Sequence, residues 1–408
     1  MITRNTESHI HTLLSYFPCV AITGVRQCGK TTLLNKLPGD WQNFDMENGA
    51  DRQQILADPD LFFRLHPENV TIDEAQRAPE LFPALRVAID RNRAQKGRFV
   101  LTGSSSPELI RNLSESLAGR IATIELSPFS LAEAWQLAPA PIYSLIAQRS
   151  KASELLATVK PRLTLAQIQS YWFHGGYPEP WLSNDDNFRQ LWHRHYLDTY
   201  LHQDIAPLFP NLNQDRYRQL IQMLSQLSGS ILNYANIART LGVSQPTARD
   251  YLHIAHHTFI WRHLPAWSQS KHKQLVKHPK GYMRDSGLLH RLLHLNEWSM
   301  LATHPQLGHS WEGMIIENLL RSFDQLGIPY QAYHYRTRGG AEIDLILEGD
   351  FGLLPVEIKY TQKTNKRSLR SLNEFIQTHH CAYGLIINNE EKPRILDERI
   401  LSIPAACL

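Results

Sequence analysis

Residues 24 to 31 read Gly-Val-Arg-Gln-Cys-Gly-Lys-Thr and meet the phosphate-loop pattern GxxxxGK[ST] at every constrained position. Gly24 and Gly29 let the backbone through Val25, Arg26, Gln27 and Cys28 curl with its N–H groups pointing inward, and a helix opening at Lys30 adds the positive end of its dipole. The product is an anion cradle. Lys30 is expected to reach the terminal phosphates of a nucleotide, the Thr31 hydroxyl to ligate the accompanying Mg²⁺, and Thr32 to lie beside them. An apolar strand, Cys19 to Thr23, precedes the loop and a helix, Lys30 to Leu37, follows it, which is the context the motif requires. Asn69-Val70-Thr71-Ile72-Asp73-Glu74 supplies the complement, an apolar strand ending in two carboxylates. At this Walker B position Asp73 would hold the metal through its water shell, and Glu74 would polarise the water that attacks the terminal phosphorus.

Further candidates lie nearby. Phe99 to Ser104 reads as a buried strand with a polar end, where Thr102 and Ser104 either touch the γ-phosphate or cap the helix expected near Pro107 to Leu113. Arg120 precedes a strand over Ile121 to Leu126 and can reach nucleotide or sit at the surface. Cys28, inside the loop, is expected to make it sensitive to thiol modification, because an adduct there would crowd the phosphates.

The last hundred residues hold a second constellation. A helix over 312–326 carries Glu312 and Glu317, and strands follow over 330–336, 342–347 and 354–360. Glu357 and Lys359 alternate and so share a face, with Asp344 on the preceding strand. These residues resemble the PD-(D/E)xK nuclease core. In that chemistry Asp344 and Glu357, supported by Glu312, would hold one or two Mg²⁺ ions while Lys359 orients the attacking water.

Alternating strands and helices position the first set. With the loop at the end of the first strand, they imply a parallel sheet covered on both faces and a ligand at the strands' carboxyl ends. Trp41 to Asp45 is the second strand, and a helix over 80–93 covers the sheet through Leu81, Leu85, Ala88 and Ile89. No NKxD-like guanine reader follows, and the Asp-Glu pair fits the additional-strand ATPases, so ATP is the expected nucleotide. Residues 188–205 place Phe188, Leu191, Trp192, His195, Tyr196, Thr199 and Tyr200 near one helical face, read as packing.

Tyr234 to Leu241, a turn at Gly242-Val243-Ser244 and a helix over Gln245 to His256 make a helix-turn-helix, packed through Ile237, Ala238, Val243, Ala248 and Leu252. Ser244, Gln245, Thr247, Arg249 and Asp250 face outward. Residues 231–290 carry eight Lys or Arg against two Asp, a local excess of +6 that suits DNA, although packing between domains is the alternative use of such a unit. His253, His256 and His257 lack Cys or acidic partners at ligand spacing and read as a solvated or packed face.

Composition sets the frame. The chain has 408 residues, 42% apolar and 20% charged, with a formal charge of +3 and four cysteines at spacings suited neither to zinc nor to disulfides. No signal stretch and no long apolar run is present, so a cytoplasmic protein without a membrane span is expected. Self-association stays open.

The strings GVRQCGKTTLL, TIDEAQRAPELFPALR, FVLTGSSS, SLAGRI, LSPFSLAEAW and FHGGYPEP resemble the bacterial and archaeal AAA ATPases that carry a C-terminal DUF4143 domain. The match continues through NYANIARTLGVSQPTARDYL, HPKGYMRDSGLL, GHSWEGMIIENLL, RTRGGAEIDLIL and VEIKY. The resemblance implies an α/β chain with a P-loop ATPase domain over 1–135 and a helical region over 136–230. A winged helix-turn-helix over 231–295 and a C-terminal restriction-endonuclease-like domain over 296–408 would follow. The family often has Arg before the Asp of its YLxxYLxRDI helix, whereas Gln203 precedes Asp204 here. Two readings follow: ATP-gated cleavage of DNA, or an ATP-dependent switch whose C-terminal domain binds a partner without cutting.

Overall fold

The computed structural model describes residues 2–103, 116–269, 278–337, 339–361 and 366–408. The helix expected near Pro107, together with Ser104, Lys271, Lys273 and Lys277, lies outside them.

Five strands build the first sheet: β1 (Cys19–Thr23), β2 (Gln42–Asp45), β3 (Val70–Asp73), β4 (Phe99–Gly103) and β5 (Ile121–Glu125). All pair in parallel in the order β2-β3-β4-β1-β5, so β4 is inserted between the strand that feeds the loop and the strand that ends in Asp73. Strand alternation divides the apolar side chains between two cores. Val20, Ile22 and Val100 enter the large one, whereas Cys19, Ala21, Phe99 and Leu101 enter a smaller one closed by the helix Leu81–Arg91. Its stripe of Leu81, Leu85, Ala88 and Ile89 is buried as the spacing requires.

Helices fill the middle of the chain. The expected stripe over 188–205 is rotated from the observed one: His193, Tyr196, Leu197 and Tyr200 are buried, while Leu191 and His195 are exposed. The helix Asp186–Thr199 widens into a π-turn over Tyr200–Ile205, a local irregularity that spacing does not reveal. Next, the helices Tyr234–Leu241 and Gln245–His257 meet at Gly242, which takes the left-handed φ of 62°, and Ser244 caps the second helix through Thr247 N at 3.2 Å. Three antiparallel strands join them, β6 (Ser230–Ile231), β7 (Trp261–Leu264) and β8 (Lys280–Met283), in the order β6-β8-β7.

The C-terminal region pairs the helix Leu307–Gln325 with a mixed six-stranded sheet. Its strands are β9 (Tyr330–Arg336), β10 (Glu342–Gly349), β11 (Gly352–Ile358), β12 (Gly384–Asn388), β13 (Arg394–Asp397) and β14 (Ile400–Pro404). They lie in the order β13-β14-β12-β11-β10-β9.

That helix is buried on all sides from Ser310 to Phe323. Asn318 Oδ1 accepts the Leu131 N–H at 2.8 Å, and Arg321 donates to Phe129 O at 3.2 Å and to the Tyr171 hydroxyl at 3.1 Å. The large apolar cluster accordingly runs without a break from Ile2 to Leu408. At the helix's centre Glu317 accepts from Arg262 of β7 and from Arg284 Nε at 3.1 Å, and Arg284 also pairs with Glu125 at the end of β5. Burial alone would raise the Glu317 carboxyl, but Arg262 and Arg284 outweigh it and hold the group at about 2, below its ordinary 4.5. Such a depressed carboxylate stabilises the fold above its ordinary value, and that contribution is lost as pH falls toward the folded value.

Removing one partner strands buried charge, so Glu317→Gln is expected to cost about 3–5 kcal/mol at neutral pH. Thermal unfolding checks this, and wild type should lose midpoint between pH 4.5 and 2 through a component that the variant lacks.

Candidate nucleotide site and a second carboxylate cluster

The loop's shape follows from its glycines. A Cβ on Gly24 would fall 2.2 Å from Leu126 O, and Gly29 takes the left-handed φ of 99° at the helix start. Lys30 is buried, and its ammonium donates to Gly24 O and Val25 O, both at 3.1 Å. Across the mouth, Thr31 Oγ1 donates to Asp73 Oδ2 at 2.6 Å. Asp73 Oδ1 accepts from the Thr102 hydroxyl and, at 3.0 Å, from the Glu74 N–H. Three donors on three elements therefore fix the Asp73 carboxylate, which the adjacency of β3 and β4 makes possible.

Glu74 is half-buried and sits at φ 52°, ψ 41°. Left-handed backbone at a non-glycine residue costs about 1–3 kcal/mol and turns the side chain away from the strand's own alternation. The Gln76 amide donates to its carboxylate. Lys30, Thr31, Asp73 and Glu74 line a cleft of about 540 Å³ whose far wall is Pro178 and Glu179 from the helical region. Arg26, Gln27, Gly29 and Thr32 also line it.

Residues that the spacing did not single out complete the site. Arg4 braces the loop from behind, donating to Cys28 O at 2.7 Å and Ser127 O at 2.6 Å while paired with Glu133 at 3.0 Å. Arg26 pairs with Asp204 on the π-turn at 3.0 Å. Burial raises the Asp204 carboxyl, and Arg26 opposes that rise. Gln203 beside it is exposed, so the contact with the loop belongs to Asp204.

Two readings need correction. Arg120 pairs with Asp90 through two hydrogen bonds of 2.7 and 2.8 Å at the surface and does not line the cleft, which selects the surface alternative. Cys28 has no exposure, and burial raises its thiol, so the expected thiol sensitivity lacks both access and thiolate.

The second constellation does assemble, with an addition. Glu312 of the helix Leu307–Gln325, Asp344 of β10, Glu357 of β11 and Lys359 just beyond it converge. Lys280 of β8 enters among them. Its ammonium lies 2.6 Å from Glu312 Oε1, 3.5 Å from Glu342 Oε1 and 3.8 Å from Asp344 Oδ1, and Tyr282 donates to the same Glu312 oxygen. Lys359 pairs with Glu357 at 2.7 Å and Asp344 at 3.4 Å. Burial would raise the Glu312 carboxyl, but Lys280 in particular holds it at about 2. Burial, with Glu312 and Glu357 nearby, raises Asp344. The expected metal set Glu312, Asp344 and Glu357 is thus corrected: among the described residues no three His, Cys, Asp or Glu are placed to hold a metal ion, and lysines stand between these carboxylates.

The basic excess over 231–290 is also redistributed. Arg262, Lys280 and Arg284 are spent in ion pairs with Glu317, Glu312 and Glu125. Arg239 and Arg249 are exposed, with Asp250 exposed beside them.

Three family profiles match the chain: an AAA domain over residues 16–135, the domain of unknown function DUF8612 over 165–299, and the domain of unknown function DUF4143 over 307–408. Two relatives, the uncharacterized proteins Rv2008c of Mycobacterium tuberculosis and Mb2031c of Mycobacterium bovis, are each 34% identical over 406 residues, covering 98% of this chain and 83% of theirs. The chain belongs to the family of AAA-domain proteins that carry DUF4143. Among solved structures it is similar to the Walker-type ATPase PABY2304 of Pyrococcus abyssi, at 15% identity and a TM-score of 0.40, over 71% of this chain and 94% of that one. The AAA match contains β1 to β5 with Lys30, Asp73 and Glu74, and the DUF4143 match contains the helix Leu307–Gln325 and all six strands of the mixed sheet. No helix among the described residues is long and apolar enough to cross a membrane.

Arg4 holds two carbonyls behind the loop, so Arg4→Ala should loosen the cradle without touching ligand. A rise of about tenfold in the nucleotide dissociation constant, about 1.4 kcal/mol, is expected in a fluorescent-ATP titration, with partial recovery in Arg4→Lys.

Proposed function

We propose that this AAA-domain protein binds ATP with Mg²⁺, hydrolyses it, and uses the nucleotide state to set the position of its helical and C-terminal regions. The observation that carries this is the Asp73 carboxylate, held by Thr31, Thr102 and the Glu74 N–H at the mouth of the loop. Thr31 Oγ1 and Asp73 Oδ2 form a pair of hard oxygens suited to Mg²⁺, which neutralises phosphate charge when it is bound. The inward N–H groups of residues 24–29 and the Lys30 ammonium would receive the phosphates. Glu74 would accept the proton of the attacking water, and Gln76 holds its carboxylate in place. The Arg26–Asp204 pair gives the nucleotide something to act on beyond the loop, because a phosphate at Arg26 competes with Asp204.

For the C-terminal region the favoured reading is a switch that engages a partner without cutting. Lysine pairing of Glu312, Asp344 and Glu357 supports it, since nuclease chemistry needs those oxygens for metal. DNA contact through the winged-helix unit would rest on Arg239 and Arg249 among the described residues.

Lys30→Ala is expected to abolish ATP binding, and unchanged affinity by calorimetry would remove the central claim. Glu74→Gln should keep binding while turnover falls by about 10²-fold or more in a phosphate-release assay; normal turnover would take Glu74 out of its role.

A further inference from the structure

We propose that Lys280 is the resident cation of the C-terminal carboxylate cluster, closing it to divalent metal and making it an ionic joint between β8 and the DUF4143 region. Four carboxylates, Glu312, Glu342, Asp344 and Glu357, crowd a largely buried space, and such a group must be neutralised by metal, by protons or by side-chain cations. An ammonium offers three donors, and Lys280 directs its charge at three acceptors, Glu312, Glu342 and Asp344.

Three further oxygens of the cluster also have partners. Asp344 Oδ2 accepts the Ile358 N–H at 2.9 Å and faces Lys359, whose ammonium also meets Glu357 Oε1. Glu312 Oε2 faces His309 at 3.7 Å. A Mg²⁺ or Mn²⁺ ion needs about six oxygens at about 2.0–2.1 Å, so it would have to expel Lys280 first.

Lys280 comes from outside the sheet that holds Glu342, Asp344 and Glu357. β8 pairs with β6 and β7, and just beyond it Arg284 pairs with Glu125 and Glu317 while Asp285 accepts the Gly176 N–H at 2.8 Å. The joint therefore fastens the three-stranded sheet to the mixed one, and metal and β8 compete for the same oxygens.

Titration of full-length, nucleotide-free protein with Mn²⁺, followed by the electron paramagnetic resonance of the free ion, tests this. Wild type and Asp344→Asn should bind equal amounts, because any ion at the phosphate loop is common to both. Lys280→Met should gain one site at least tenfold tighter than any residual binding, and Lys280→Met/Asp344→Asn should lose it. A site in wild type that Asp344→Asn removes would overturn the proposal, as would a folded Lys280→Met that gains nothing. Circular dichroism verifies the fold; should Lys280→Met unfold, Lys280→Gln makes the same test, and the wild-type comparison with Asp344→Asn still decides whether the native cluster is closed to metal.

Discussion

The fold depends on a buried carboxylate that three separate elements need at once. Glu317 sits at the middle of a helix with no exposed face, and its oxygens are shared by a guanidinium from β7 and another from just after β8. Without it Arg262 would lose its acidic partner and Arg284 one of its two, and a buried charge left unpaired costs several kcal/mol. Through Arg284 the same network reaches Glu125 at the tip of β5, the strand beside the one that feeds the phosphate loop. A single charge cluster thus ties together the phosphate-loop sheet, the three-stranded sheet and the central helix.

The phosphate-loop cleft and the lysine-filled cluster both connect to the segment that carries Arg284. Pro178 and Glu179 wall the cleft, and two residues earlier the Gly176 N–H is held by Asp285. Gly176 has no room for a side chain, since a Cβ would fall 2.3 Å from Phe129 O, and Gly287 is equally confined against His174 O at 2.0 Å. Lys280 begins the strand that ends two residues short of Asp285. Six consecutive residues, 280–285, therefore touch both assemblies, and backbone contacts without intervening side chains leave little slack between them.

Much of the phosphate-loop half was legible because its chemistry is local. A phosphate loop needs two glycines, a lysine and a hydroxyl within eight positions, and the strands around it are apolar enough to mark their own bounds to within a residue or two. The spacing showed neither the role of Arg4 nor that of Asp204, since each acts through a partner chosen by the fold. Asp204 meets Arg26 178 residues away, and Arg4 meets Glu133 129 residues away. In the C-terminal half the spacing and the nuclease-core resemblance together bring Glu312, Asp344, Glu357 and Lys359 into one set, and they do converge, but Lys280 shows only as one more basic residue of 231–290, because its strand gives no sign of what it faces. The same blindness inflated the basic patch over 231–290: a lysine or arginine at a solvent-exposed site and one buried against a glutamate read alike in composition.

The unbroken apolar core has a consequence for synthesis. Tyr143, fully buried, is covered by the helix Leu307–Gln325, packing its ring against Phe323 at 5.6 Å and its hydroxyl against Asn318, a residue that follows it by 175 positions. At translation rates of about 5–20 residues per second, surface made in the first half of the chain waits roughly 10–35 s for the helix that covers it. The nascent protein therefore passes through a long interval with an uncovered apolar flank, the kind of surface that invites aggregation until the last third of the chain arrives.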